Sequence, residues 1–247
     1  MLKLDRHYVE KPWGRDKLPA AFNAPLGKRI GEVWFSGGGD LPLLAKYIFT
    51  SERLSIQVHP NDQQARARGL AQGKSECWYI LDADPGAVLG LGLKREASRD
   101  ELRSAALDGS IEQLMDWRPV RAGDFVFVPS GTVHAIGAGI SLLEFQQNSD
   151  VTYRLYDYGR PRELHLEDGV DVSEPAPFDG SIERATEGTL VDGPHFTLVL
   201  ANKDSLQDRQ RWVMPLDGVG VGDCFLFDAG EEAELGTGRM LIGARPS

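Results

Sequence analysis

The run Gly123-Asp124-Phe125-Val126-Phe127-Val128-Pro129-Ser130-Gly131-Thr132-Val133-His134 leaves the chain little local choice. Four apolar residues make a buried strand over 125–128, Pro129 ends its hydrogen-bond ladder, and Pro129-Ser130-Gly131 reverses the direction. The returning strand carries one imidazole, that of His134, toward the interior. Further short strands are expected over 141–146 and 151–156, with Gly137-Ala138-Gly139 as another turn. Short strands with frequent turns imply a barrel or a sandwich.

Upstream, residues 47–58 alternate side chains of two kinds: Leu54, Ile56 and Val58 share one face, Ser55, Gln57 and His59 the other. Pro60-Asn61-Asp62 ends the strand, and a polar segment rich in Ala, Arg and Gln leads to Gly73-Lys74-Ser75. A second strand follows over 76–81. Over about 98–117 the period changes to helical: Ser98 and Glu101 are spaced as a capping box, Leu102, Ala105 and Ala106 recur at helical intervals, and Asp108-Gly109 stops the run. Ser110 and Gln113 repeat the capping spacing for a second short helix carrying Ile111, Leu114 and Met115. This pair reads as a small helical insert. The acidic stretch 168–193 reads as a connection, and strands over 196–201, 210–214 and 224–228 form a smaller second β unit, 194–247, beside a main domain of residues 1–167. Gly37-Gly38-Gly39 lacks the Lys-Ser/Thr and helix of a phosphate loop and is expected as a flexible hairpin.

The net charge of -10 over 247 residues repels polyanions, and no basic patch offsets it, so nucleic acid is excluded as a partner. A small phosphorylated substrate is compatible with that charge, because a few Arg or Lys in a cleft override it locally. Cys77 and Cys224 stand far apart in no metal-binding spacing, which points to a reducing compartment. No apolar run approaches membrane-spanning length, and Met1-Leu2-Lys3-Leu4-Asp5 has no leader character. The expected location is the cytoplasm.

Spacing of two on a strand puts Gln57 and His59 on one face, as two ligands of one ion require. Together with Glu76 and His134 they make four donors drawn from three segments. The 123–134 run resembles the second cupin motif, G-x5-P-x-G-x2-H, with Ala138 where that motif usually has Asn. The first cupin motif normally offers two His and a Glu; here Gln57 replaces the first His, and the gap to Glu76 is longer. The segments Leu54-Ser55-Ile56-Gln57-Val58-His59-Pro60-Asn61-Asp62 and Gly73-Lys74-Ser75-Glu76-Cys77-Trp78-Tyr79 resemble the type I phosphomannose isomerase family, as does Lys11-Pro12-Trp13-Gly14 of its short bacterial forms. The likeness covers roughly residues 10–165.

That resemblance implies an all-β dominated cupin (jelly-roll) barrel holding one Zn2+ per chain, or another divalent ion, on Gln57, His59, Glu76 and His134. It implies that Arg154, in Glu144-Phe145-Gln146-Gln147-Asn148-Ser149-Asp150-Val151-Thr152-Tyr153-Arg154, is catalytic. Lys74 and Glu144 are the two candidates for proton transfer, because both titrate when desolvated. Ser55 and Arg160 fall where the family meets the substrate phosphate, and His59 and Asp150 where it opens the sugar ring. The implied reaction, interconversion of mannose 6-phosphate and fructose 6-phosphate, moves a proton between C1 and C2 through an enediol. It needs a carbonyl polariser, a base and a cation near the developing oxyanion. Other readings are a different cupin sugar-phosphate isomerase, an Fe(II) oxygenase, against which Gln57 and Arg154 count, or a non-catalytic sugar-binding cupin. His7, His165 and His195 lack partners at ligand spacing and read as ordinary polar residues; the C-terminal unit is expected to cover the first barrel without a second metal. The chain is expected as a monomer or homodimer.

Overall fold

The strands Leu43–Phe49 and Ile140–Gln147 are buried at every position although each carries a charge at its centre, Lys46 and Glu144. Side chains alternate across a strand, so total burial requires cover on both faces. The structure, a computed structural model that describes residues 1–37, 39–232, 235 and 238–246, supplies that cover with layers of antiparallel sheet. The two strands lie inside a seven-stranded sheet ordered Glu183–Arg184, Asp124–Val128, Glu76–Ala83, Ile140–Gln147, Leu43–Phe49, Ile30–Ser36, Asp5–Arg15.

One face of this sheet, with Tyr47, Cys77, Leu143 and Phe145, packs on Leu198, Trp212 and Leu241 of a six-stranded C-terminal sheet and on Phe196, just before its strand Thr197–Ala201. The approach is close. A Cβ on Gly243 would stand 2.3 Å from the Phe145 ring, so only glycine fits there. The ring of Phe145 meets Phe196 edge-on at 5.4 Å, and its burial contributes about 2–3 kcal/mol. The other face, with Ile48, Trp78, Ile80 and Leu142, packs on Leu89, Leu91 and Ile136 of a five-stranded sheet. That sheet runs Tyr153–Tyr156, Ile56–Val58, His134–Ile136, Val88–Leu93, Met115–Pro119. Helices Arg99–Asp108 and Leu166–Val172 cover its outer side, with Leu102, Ala105, Val170 and Val172 against Ile56, Val58 and Leu155.

The fold is β-dominated, and its five- and seven-stranded sheets form the cupin unit. Among the described residues no hydrogen-bonded ladder joins those two sheets, so the unit is a two-sheet jelly roll with open edges. No helix of the described residues is long and apolar enough to cross a membrane.

Several local expectations change. The alternation over 47–58 is divided between two sheets: Leu43–Phe49 ends, Thr50 turns by donating its N–H to Ile140 O and its hydroxyl to Gly137 O, and Ile56–Val58 joins the facing sheet. The polar stretch after Pro60 contains a helix, Asp62–Ala67, started by an Asn61/Gln64 capping box. Ser98 caps Arg99–Asp108 by accepting the Glu101 N–H, but the Glu101 carboxylate turns to Arg95, and Ser110 makes no side-chain cap. Helix ends at Leu114, and Met115–Pro119 pairs as a strand with Val88–Leu93. Within 168–193 lie most of the helix Leu166–Val172, the strand Glu183–Arg184 on the central sheet, and Gly188–Asp192 in the C-terminal sheet. Leu2–Lys3 also joins that last sheet, beside Phe225–Phe227. In the glycine run, Gly37 and Gly39 have φ of 113° and 94°, while Gly38 lies outside the described residues.

Candidate active site

Register brings the distant segments together. Gln57 stands directly opposite His134 on one side and Arg154 on the other, and across the interior Gln146 pairs with Glu76 and Glu144 with both Lys46 and Trp78. Directly opposed residues share a face, so the ligand strand pair and the charged strand pair look at each other through the space between the sheets. His59 follows Ile56–Val58, held by its carbonyl accepting from Gly131 N at 2.8 Å.

His59 Nε2 lies 3.5 Å from Glu76 Oε2, and His134 Nε2 lies 3.3 Å from Glu76 Oε1. One donor atom from each of the three falls within 4.8 Å of the others, and all three side chains are buried. Both imidazoles have their Nδ1 beside a backbone carbonyl, His59 at 2.7 Å from Val151 O and His134 at 2.9 Å from Thr132 O. A carbonyl only accepts, so Nδ1 carries the proton and Nε2 presents a lone pair inward, the tautomer a metal ligand needs. Burial lowers both imidazole pKa values, His59 to about 3 with the Lys74 ammonium adding to the effect, so both rings are neutral at pH 7.

The Gln57 amide completes the ring of donors. Its Nε2 lies 3.3 Å from His134 Nε2, and Ser55 Oγ donates to its Oε1 at 3.1 Å. The amide is symmetric in shape, and a half-turn about its last bond would present the oxygen inward. Glu76 is almost fully buried, and neither carboxylate oxygen has a well-formed hydrogen bond, although Lys74 Nζ lies 2.5 Å from Oε2. Two neutral imidazoles, a carboxylate short of partners and an amide suit a divalent cation.

Beside this group sits a buried ionic cluster. Lys74 Nζ reaches His59 Nε2 at 3.0 Å and Glu144 Oε1 at 3.4 Å; Lys46 Nζ reaches the same Glu144 oxygen at 3.0 Å, and Trp78 Nε1 donates to Glu144 Oε2 at 3.0 Å. Burial raises the Glu76 carboxyl, but the Lys74 ammonium above all outweighs it and holds Glu76 well below the usual carboxylate range. For Glu144, burial and the neighbouring Glu76 charge prevail over Lys46 and Lys74 and push its carboxyl up. Of two carboxyls sharing one site, Glu76 is the stronger acid and Glu144 the group that exchanges a proton nearer neutrality.

A cavity of about 210 Å³ opens from this cluster to solvent. Ser55, Gln57, Lys74, Glu144, Asp150 and Arg154 line it, so six of the ten residues singled out from the sequence face one space, with His59, Glu76 and His134 behind them. Arg160 does not line it. Its Nε and Nη2 bond Asp157 and Arg53 O while its buried Nη1 has no hydrogen-bond partner, whereas Arg162, two residues on, faces the cavity while bonded to Asp157. Arg154 donates to Glu163 O at 2.6 Å, leaving its buried Nε without a partner. Burial and then the Arg162 charge lower its pKa, marks of a cation that gains from an anion.

Sequence reasoning did not single out Glu32, Trp34, Lys46 and Arg162, all of which line the cavity. Trp34 Nε1 donates to Glu32 Oε2 at 2.7 Å, and Lys46 Nζ lies 5.3 Å from the Trp34 ring centre. For Lys46 the signal was present: one lysine inside the apolar run Leu43–Phe49 points to a buried, paired charge. Five cations (Lys11, Lys46, Lys74, Arg154, Arg162) face three lining carboxylates (Glu32, Glu144, Asp150), so this cavity is locally positive in a chain of net charge -10.

Comparison with known proteins follows the same line. No family model matches the chain. The mannose-6-phosphate isomerase of Streptococcus mutans serotype c is 43% identical over 169 residues, 64% of this chain and 53% of that protein, so the chain spans about half the length of this relative. The probable mannose-6-phosphate isomerase GmuF of Bacillus subtilis is 40% identical over 213 residues, covering 69% of this chain and 67% of that protein. Among solved structures, the mannose 6-phosphate isomerase from Bacillus subtilis superposes with a TM-score of 0.79 at 28% identity over 98% of each chain.

Proposed function

The chain belongs to the type I mannose-6-phosphate isomerase family, and from that premise we propose that it interconverts mannose 6-phosphate and fructose 6-phosphate. One observation carries the reading: two neutral imidazoles and a carboxylate converge next to a lysine and a second, more weakly acidic carboxyl in a locally positive cavity.

In this reading Gln57, His59, Glu76 and His134 hold one Zn2+, the nitrogen and oxygen donors and the neutral rings favouring a borderline ion of that kind. Bound there, the ion supplies Lewis-acid polarisation of the substrate oxygens. The remaining work falls to side chains. Glu144, raised by burial and held between Lys46, Lys74 and Trp78, takes the proton from one carbon of the open-chain sugar and returns it to the neighbouring one. Lys74, between His59, Glu76 and Glu144, moves the hydroxyl proton that must pass between O2 and O1 in the same sense as the carbon proton passes between C2 and C1, and as an ammonium it stabilises negative charge on the enediolate. Arg154 and Arg162 bring fixed positive charge to the phosphate end, with the Ser55 hydroxyl beside them and Asp150 placed for ring opening. Trp13, Trp34 and Ile48 wall the cavity and restrict water at the reacting carbons. Glu144 as base and Lys74 as hydroxyl-proton carrier suit their different chemistries: a carboxylate abstracts from carbon, and an ammonium offers hydrogen bonds to oxygen.

We place the protein in the cytoplasm, where the free, buried thiols of Cys77 and Cys224 are stable. A coupled assay with mannose 6-phosphate tests the reading. Zinc-replete protein is expected to form fructose 6-phosphate with ordinary enzymatic turnover; a metal-loaded protein inert toward every hexose phosphate would make it a binding cupin instead.

A further inference from the structure

Gln147 ends the strand Ile140–Gln147, two positions past the Glu144–Phe145 pair, and it is 4% exposed. Its backbone N–H and its side-chain amide are engaged with Ser75 and with Asp62, the residue that also holds Gly73. Its backbone N–H donates to Ser75 O at 3.2 Å, its side-chain Oε1 accepts the Ser75 N–H at 3.0 Å, and its Nε2 donates to Asp62 Oδ1 at 2.9 Å. The same Asp62 oxygen accepts the Gly73 N–H at 2.9 Å. Gly73-Lys74-Ser75 is therefore pinned from both flanks by one amide and one carboxylate, with Lys74 N–H donating to Pro60 O at 3.0 Å in between. The amide orientation is fixed, since a backbone N–H requires the oxygen and a carboxylate requires the NH2. Gly73 is forced by the same closeness: a Cβ there would lie 2.5 Å from Asn61 C and Pro60 O.

We propose that Gln147 is the positioning residue for Lys74: with Asp62 it clamps the Gly73–Ser75 turn so that the ammonium stays between His59, Glu76 and Glu144. The inference rests on Lys74 acting in the isomerisation proposed above. Gln147 reaches neither the cavity nor the metal donors, so its loss displaces Lys74 without removing a ligand or a substrate contact. A displacement near 1 Å at a proton-transfer group costs about 10- to 100-fold in turnover.

The test compares zinc-loaded wild type with Gln147→Glu, Gln147→Met and the Asp62→Asn/Gln147→Glu double variant. Gln147→Glu sets two carboxylates against each other, Gln147→Met removes both amide bonds at similar volume, and the double variant restores a donor–acceptor pair with unchanged net charge. Expected are a kcat lower by about 10-fold or more in both single variants, KM and zinc content near wild type, and recovery to within about 3-fold in the double. A second readout needs no activity: labelling of Lys74 by an amine reagent, followed by mass spectrometry, should speed up by about 10-fold in Gln147→Met while that of Lys46 does not change. Wild-type kcat in Gln147→Met, unchanged Lys74 labelling, a double variant as slow as the single one, or zinc lost in step with kcat each overturns the clamp. A wild type with no turnover, combined with faster Lys74 labelling in Gln147→Met, overturns the isomerase reading and leaves the clamp standing.

Discussion

Lys46 and Glu144 stand opposite each other on adjacent antiparallel strands, with Nζ and Oε1 3.0 Å apart and both side chains less than one tenth exposed. Neither charge would survive alone inside two apolar strands. Burial works against the lysine's charge, but the Glu144 and Glu32 carboxylates outweigh it and raise its pKa, so Lys46 is a fixed cation.

Removing that cation leaves Glu144 facing Glu76 with less compensation. Lys46→Met is expected to cost about 3 kcal/mol of stability at neutral pH and to lower kcat by about 10- to 100-fold, while zinc content is kept. Chemical denaturation, metal analysis and the coupled assay check the three parts separately.

Ligand and catalytic roles separate by substitution. His134→Ala is expected to lose metal and turnover together, with metal affinity falling by more than about 100-fold, because one donor of the convergent set disappears. Arg154→Ala should keep the metal and lose turnover by about 100-fold or more. An Arg154→Ala protein with full activity would remove Arg154 from the reaction.

Glu32 gives a pH signature. Burial raises its carboxyl, yet Lys46, Lys11 and the Trp34 hydrogen bond together bring it below the ordinary value of 4.5. A carboxyl depressed in the folded state adds stability that is present above pH 4.5 and lost as the pH falls below it. Glu32→Gln, which keeps an acceptor for Trp34, should therefore cost about 1 kcal/mol at pH 7 and progressively less below pH 4.5, as read by denaturation at both pH values.

Cys77 and Cys224 both lie in the core between the central and C-terminal sheets, where burial pushes their thiols up. A thiolate is the reactive form, so neither should react with an aromatic disulfide reagent in the native protein at pH 8. Both should react in denaturant, at a midpoint that coincides with unfolding.

Much of this site was legible because its geometry is local. Gln57 lies on the strand Ile56–Val58 and His59 directly follows it, two positions on, and the Pro129–Gly131 reversal brings His134 to the start of the returning strand. The β-rich class followed from short apolar runs. Long-range register was not legible: no periodicity says that Lys46 opposes Glu144 or that Gln147 reaches Ser75. Of the central-sheet strands, those over 76–81, 125–128 and 141–146 are expected from the sequence, whereas Leu43–Phe49, buried on both faces, lacks the alternation that marks a strand and is reached only at its end. Arg160 and Arg162 illustrate the limit of spacing alone. Both bind the buried Asp157, and only the path of the chain around that carboxylate decides that Arg162 faces the cavity.

One ion held by side chains from separate strands underlies the site, and anomalous diffraction from a zinc-soaked crystal at the zinc absorption edge locates it. A single anomalous peak is expected within bonding distance of His59 Nε2, His134 Nε2, a Glu76 oxygen and the Gln57 amide oxygen, about 2.0–2.2 Å from each. A peak elsewhere, or none where these four groups converge, would contradict that arrangement.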